Sequence, residues 1–174
     1  DKWKRQRDIM ITKQIKYYTK QICFQEIPDE VSLTYFITNC PNRCKNCHSP
    51  HLRDDIGTLV SDTLEDDLEK NKDRISCVLF MGGDDNLQIS SLINSLEICK
   101  KHGFKTALYS GYELDYLPTV LLKMLDYVKI GPYVDELGGL KSVTTNQRLY
   151  RLNNAEIEED LTSRFWRRLD ENYT

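Results

Sequence analysis

The sequence predicts an α/β fold, a partial (β/α) barrel of mostly parallel strands, on three observations. Short apolar runs alternate with helical patterns along most of the chain, the order expected of parallel strands joined by helical crossovers. Each run stops at a loop bearing glycine or cysteine. With only four or five such units, the barrel cannot close and one side stays open.

The elements follow in order. Residues 15–27 are rich in Ile, Tyr, Thr and Phe, and Pro28-Asp29-Glu30 supplies a turn, which predicts two strands joined there. The second, Val31 to Thr38, alternates: Val31, Leu33, Tyr35 and Ile37 share one face, and Ser32, Thr34, Phe36 and Thr38 the other. A helix capped by Ser61 or Thr63 is predicted through Glu69, with Leu64 and Leu68 as its buried stripe. Ser76 to Met81 is a continuous apolar run, the pattern of a strand covered on both faces, and it stops at Gly82-Gly83. Ile89, Leu92, Ile93, Leu96 and Cys99 recur at helical spacing, and Gly103 is placed to end that helix in a left-handed conformation. Phe104 to Tyr109 reads as a third core strand and Asp126 to Ile130 as a fourth, ending at Gly131-Pro132-Tyr133. Between them, Glu113 to Leu125 reads as helix, with Pro118 either kinking it or starting a second one. Gly138 to Leu152 carries no clear pattern, and residues 155–169 read as a helix carrying Phe165 and Trp166.

Length and composition narrow the function. A chain of 174 residues is one domain by size, taken as residues 15–174 behind an N-terminal extension of residues 1–14. A formal charge of −3 lacks the concentrated basic surface of a DNA binder, so no DNA partner is expected. No run approaches the roughly eighteen apolar residues of a membrane span, and no signal peptide opens the chain, so a cytoplasmic protein without a membrane partner is expected.

The chemistry centres on Cys40-Pro41-Asn42-Arg43-Cys44-Lys45-Asn46-Cys47-His48. Spacers this short let three thiolates converge on one inorganic centre without a long loop closure. Three cysteines without an obvious fourth favour an iron–sulfur cluster with one metal position open to a ligand. A Cys3His zinc site using His48 or His51, and a chance cluster of reduced cysteines, are the alternatives. Cys77 and Cys99 sit in apolar patterns and read as core, Cys23 as a spare, and His51 and His102 as surface residues. In a parallel sheet every loop that follows a strand lies on the same edge. The cysteine loop, Gly82-Gly83-Asp84, Ser110-Gly111-Tyr112 and Gly131-Pro132-Tyr133 are therefore expected to meet on one C-terminal rim, with the open side suited to a loop of another protein.

The Cys-x3-Cys-x2-Cys spacing is the signature of radical S-adenosylmethionine enzymes. Together with Met81-Gly82-Gly83-Asp84, Tyr109-Ser110-Gly111-Tyr112 and Asn146-Gln147-Arg148, residues 17–152 resemble the activating enzymes of anaerobic ribonucleotide reductase. Gln25-Glu26-Ile27-Pro28 replaces the Asp-Gly-Pro-Gly common in that family, Asp85 stands where a proline is common, and Asn46 where an aromatic residue is common in radical enzymes. The resemblance implies that Cys40, Cys44 and Cys47 bind a 4Fe-4S cluster and that the open iron binds S-adenosyl-L-methionine. It further implies that Gly82, Gly83 and Asp84 meet the methionine ammonium, that Asn46, Cys47 and His48 offer a backbone edge to the adenine, and that Pro132, Tyr133 and Val134 wall it. No catalytic side chain beyond the cluster is expected. A side chain at Gly83 is expected to block the backbone's approach to the ligand. The implied partners are the large anaerobic reductase subunit, whose glycine receives the radical, and an electron donor such as flavodoxin or ferredoxin. Without the resemblance, Asp84 reads as a helix-start residue, Tyr133 as a packing tyrosine, and Asn146-Gln147-Arg148 as a polar turn with Arg148 in an ion pair.

Overall fold

The computed structural model describes residues 13–41 and 50–166. Within them lie eight strands: β1 Lys16–Cys23, β2 Ser32–Ile37, β3 Thr58–Leu59, β4 Cys77–Met81, β5 Lys105–Tyr109, β6 Tyr127–Ile130, β7 Arg148–Asn153 and β8 Glu156–Asp160. Three α-helices accompany them: α1 Val60–Asn71, α2 Ile89–Lys101 and α3 Thr119–Leu122. All eight strands form one sheet in the order β3-β1-β2-β4-β5-β6-β7-β8, open at β3 and β8. The central run β2-β4-β5-β6 is parallel, as the strand–helix alternation predicts. The expectation of mostly parallel strands is corrected by the flanks, where β1 pairs antiparallel with β2 and β3, and β7 pairs antiparallel with β6 and β8. The sheet is mixed, and no closed barrel forms. The connections β1–β2 and β7–β8 are too short for a helical crossover, which makes those two pairs antiparallel.

The two faces of the sheet have different cover. Leu33, Tyr35 and Ile37 of β2, Val78 and Phe80 of β4, Leu108 of β5 and Val128 of β6 face the helices in one core with Leu64, Leu68, Leu92 and Leu96. Alternation then turns Leu79, Ala107 and Tyr127 to the other, concave face, where Cys77, Ile27, Leu149 and Leu161 complete a second core. Ser32, Thr34 and Thr38 are buried as well, because the connection after β1 and the segment after β8 cover that face.

Several local expectations change. Neither Ser61 nor Thr63 caps α1: Ser61 Oγ donates to Gln14 Oε1, and the Thr63 hydroxyl pairs with that of Tyr17. Residues 113–125 break into a 3-10 turn, Leu114–Tyr116, and the short α3, with Pro118 as its N-cap. Residues 156–160 form a strand in place of the predicted helix, and a further 3-10 turn, Thr162–Phe165, follows it. Asn154 and Ala155 take φ of 50° and 71°, the geometry of a two-residue hairpin turn, which sets Asn153 opposite Glu156. Gly103, with φ of 83°, ends α2 in the left-handed conformation. Among the described residues, no helix is long and apolar enough to cross a membrane.

Candidate functional site

The loop after β2 is drawn shut at its base. Asn39 takes φ of 64°, tolerable for asparagine, and turns the chain out of the strand. Its amide then donates to the carbonyl of Asp54 at 3.1 Å, and the amide of Cys40 donates to that of Leu52 at 2.9 Å. Thr38 Oγ1 donates to the Ile56 carbonyl at 2.7 Å, and Gln88 Nε2 from the start of α2 to the Asn39 carbonyl at 3.3 Å. The two stems of the cysteine segment are therefore hydrogen-bonded together. Cys40 is half-buried at one stem, while Cys44, Asn46, Cys47 and His48 lie outside the described residues.

β4 ends in Gly82 and Gly83, with φ of 110° and 88°, a backbone path that L side chains rarely follow. A Cβ at Gly83 would lie 3.0 Å from Ile15 Cγ2 and 3.6 Å from Ile37 Cγ2. It points into the core rather than along the ligand side of the loop. Gly83→Val is thus expected to act through strain and overpacking, lowering stability by about 1–3 kcal/mol in a denaturant titration. An unchanged midpoint would show that the loop accommodates the side chain by moving.

Asp84 is 6% exposed and accepts a hydrogen bond from Ser110 Oγ at 2.5 Å, tying the loop after β4 to the loop after β5. Burial raises its carboxyl above the usual range, opposed by the Ser110 hydrogen bond and by the positive charge of Lys129. The helix-start role falls to its neighbour: Asp85 Oδ1 accepts the amides of Leu87 and Gln88 at 3.0 and 3.3 Å.

The loop after β6 is held from two sides. Lys129, 9% exposed on the concave face of β6, donates through Nζ to the carbonyls of Ser110 at 2.9 Å and Gly131 at 3.1 Å. Asn146 Nδ2 donates to the Pro132 carbonyl at 3.1 Å, and Gln147 Nε2 to the Gly131 carbonyl at 3.3 Å. Arg148 faces Asp160 at 3.7 Å, the ion pair expected of a polar turn. Asn146-Gln147-Arg148 therefore fastens β7 and the loop after β6 to one another. Tyr133 is half-buried, with its hydroxyl on Asp135 at 3.1 Å.

These strand ends surround one cavity of about 780 Å³, within the roughly 300–1,000 Å³ of small-molecule sites. Cys40, Gly82, Gly83, Asp84, Ser110, Gly111 and Tyr133 line it; Pro132 and Val134 are not among the lining residues. Lys129, Gln147, Arg53, Glu26 and Phe165 also line it. Sequence pattern gave no reason to choose these five, except at Lys129. A lysine inside the apolar run Tyr127–Ile130 was a legible signal, since a buried ammonium needs partners.

The donor chemistry fits a thiolate-held cluster at Cys40. Of the other described cysteines, Cys77 and Cys99 are wholly buried in the two cores; burial pushes both thiols up, that of Cys99 to about 12, so neither offers a ready thiolate. Cys40, the described cysteine of the motif, thus lines a charged cavity on an open α/β sheet, a setting that suits a metal-cluster protein. The chain belongs to the 4Fe-4S single cluster domain family, whose model matches residues 30–152. No curated protein sequence matches the chain.

Proposed function

We propose that the protein is a radical S-adenosylmethionine enzyme that generates a glycyl radical on a large anaerobic ribonucleotide reductase. The observation that carries this is the meeting of Cys40 with the loops after β4, β5 and β6 around one cavity holding both a buried carboxylate, Asp84, and a buried ammonium, Lys129. Opposite charges in one cavity suit the zwitterionic methionine end of the cofactor. The domain family is one found in radical S-adenosylmethionine-type enzymes, which supports the same class.

Cys40, Cys44 and Cys47 hold three irons of a 4Fe-4S cluster. When bound, that cluster supplies one electron, from a donor such as flavodoxin or ferredoxin, to cleave S-adenosyl-L-methionine into methionine and a 5′-deoxyadenosyl radical. The protein orients the cofactor. The loop Gly82-Gly83-Asp84 meets its ammonium, Asn46, Cys47 and His48 give a backbone edge to the adenine, and Tyr133 flanks it. Lys129 and Gln147 fix the two loops against which the cofactor lies. The partner's glycine then enters within contact distance of the deoxyadenosyl carbon and gives up a hydrogen atom. Such chemistry belongs in a reducing cytoplasm.

The test mixes reduced, cluster-loaded protein with S-adenosylmethionine and the reductase of the same organism under anaerobic conditions. A glycyl radical doublet in the electron paramagnetic resonance spectrum, absent when Cys44→Ala protein is used, is the expected result. Cofactor cleavage without a radical on the reductase, but with modification of another glycyl-radical protein or a peptide, would keep the enzyme class and discard this partner.

A further inference from the structure

The segment after β8 is built unevenly. Its base is fixed: Leu161 and Thr162 are 2% and 0% exposed, the Leu161 amide donates to the Leu149 carbonyl at 2.8 Å, and Thr162 Oγ1 accepts the Leu149 amide at 2.9 Å. Beyond this the segment is only partly buried, with Phe165 packed against the edge of the second core. Ser163 and Arg164 are exposed, Phe165 and Trp166 half-buried. Two side-chain contacts tie this distal part to other elements: Arg164 Nη1 to Asp29 Oδ2 at 2.7 Å, and Trp166 Nε1 to the Leu140 carbonyl at 2.9 Å. Asp29 belongs to the connection between β1 and β2, whereas the segment starts at β8, at the far edge of the sheet. The segment thus crosses the concave face, and Phe165 and Leu140 both line the cavity beneath it.

We infer that residues 161–166 form a latched strap over the open side of the cavity, hinged at Thr162, and that a protein substrate must displace Phe165 to reach the site. The physical case is the contrast between a buried hinge and a solvent-exposed latch. An ion pair whose side chains are 38% and 72% exposed holds weakly and is screened by salt, so this latch gives way before the buried hinge does. Phe165 occupies space on the cavity wall that an entering peptide needs. The gating role rests on the proposed delivery of a radical to a protein loop; the latch does not.

Hydrogen exchange of the full chain tests the latch without any activity. The Arg164 and Trp166 amides, bonded to the Leu161 and Ser163 carbonyls, report opening of the distal part. Asp29→Asn and Arg164→Gln are expected to speed their exchange about 2- to 5-fold, and Arg164→Lys to change it less. Asparagine tolerates the positive φ of 66° at position 29, and unchanged exchange at Val78 controls for the fold. Unaltered exchange at 164 and 166 in both charge-removing variants would overturn the latch. For the gate, Asp29→Asn is expected to lower the reductase concentration needed for half-maximal glycyl radical formation by about 2- to 5-fold, with partner-free cofactor cleavage unchanged. Faster exchange with an unchanged reductase dependence would overturn the gate. Absence of any radical, in wild type as in variants, would count against the proposed activity and leave the latch standing on exchange alone.

Discussion

Cys40→Ala, Cys44→Ala and Cys47→Ala proteins, reconstituted anaerobically, are each expected to lose the bound iron and the broad absorption near about 400 nm that wild type shows with about four irons per chain. Each thiolate would hold one iron, and the stems of the loop are hydrogen-bonded together at Cys40 and Leu52. Cys77 and Cys99 do not compensate, since they are sealed in the cores on either face of the sheet. Cys99→Ala is the contrasting control. It is expected to keep its iron and to lose about 1–2 kcal/mol of stability through lost packing. Stoichiometric zinc with no iron uptake in wild type would sink the cluster assignment.

Asp84→Asn is expected to separate stability from ligand binding. Because burial raises the folded-state carboxyl above its ordinary value of 3.8, the folded protein binds that proton more tightly than the unfolded chain does. The stability contribution of Asp84 therefore falls as pH rises from 3.8 through the raised folded value, and the loss is complete above it. Asparagine carries no such charge and its amide oxygen can still accept the Ser110 hydroxyl. The variant should thus be as stable as wild type near pH 4 and equally or more stable near neutral pH, seen as an unchanged or raised Tm. Affinity for S-adenosylmethionine should instead fall about 10- to 150-fold at neutral pH, the equivalent of losing one hydrogen bond to a charged group. A variant that is less stable at neutral pH and binds the cofactor normally would make Asp84 a structural tie alone.

Much of the architecture was legible because it is local. The continuous apolar run of β4, the helical spacing of α2 and the glycine that ends it are patterns within a dozen residues, and neighbouring elements hardly disturb them. Residues 156–160 show the opposite case. Glu-Ile-Glu-Glu-Asp favours helix by composition, yet the turn at Asn154-Ala155 lays it along β7, where Arg148 and Arg151 face Asp160 and Glu159. Without glycine in that turn, the hairpin left no signal at sequence level. The second face of β2, carrying Ser32 and Thr34, is buried because the connection after β1 and the segment after β8 fold over it.

At the site, the sequence alone determined which loops meet, because a parallel strand order sends every following loop to one edge whatever the side chains do. It also singled out three cysteines whose short spacing lets them reach a common centre. Only the tertiary structure decided the charges in the cavity. Whether Lys129 is a surface cation or a buried clamp on two carbonyls, and whether Asp84 titrates as an exposed acid or with its pKa raised, depends on solvent exclusion and on partners brought from distant strands. Desolvation and Coulomb energy are set by distance in space, which one-dimensional spacing does not contain.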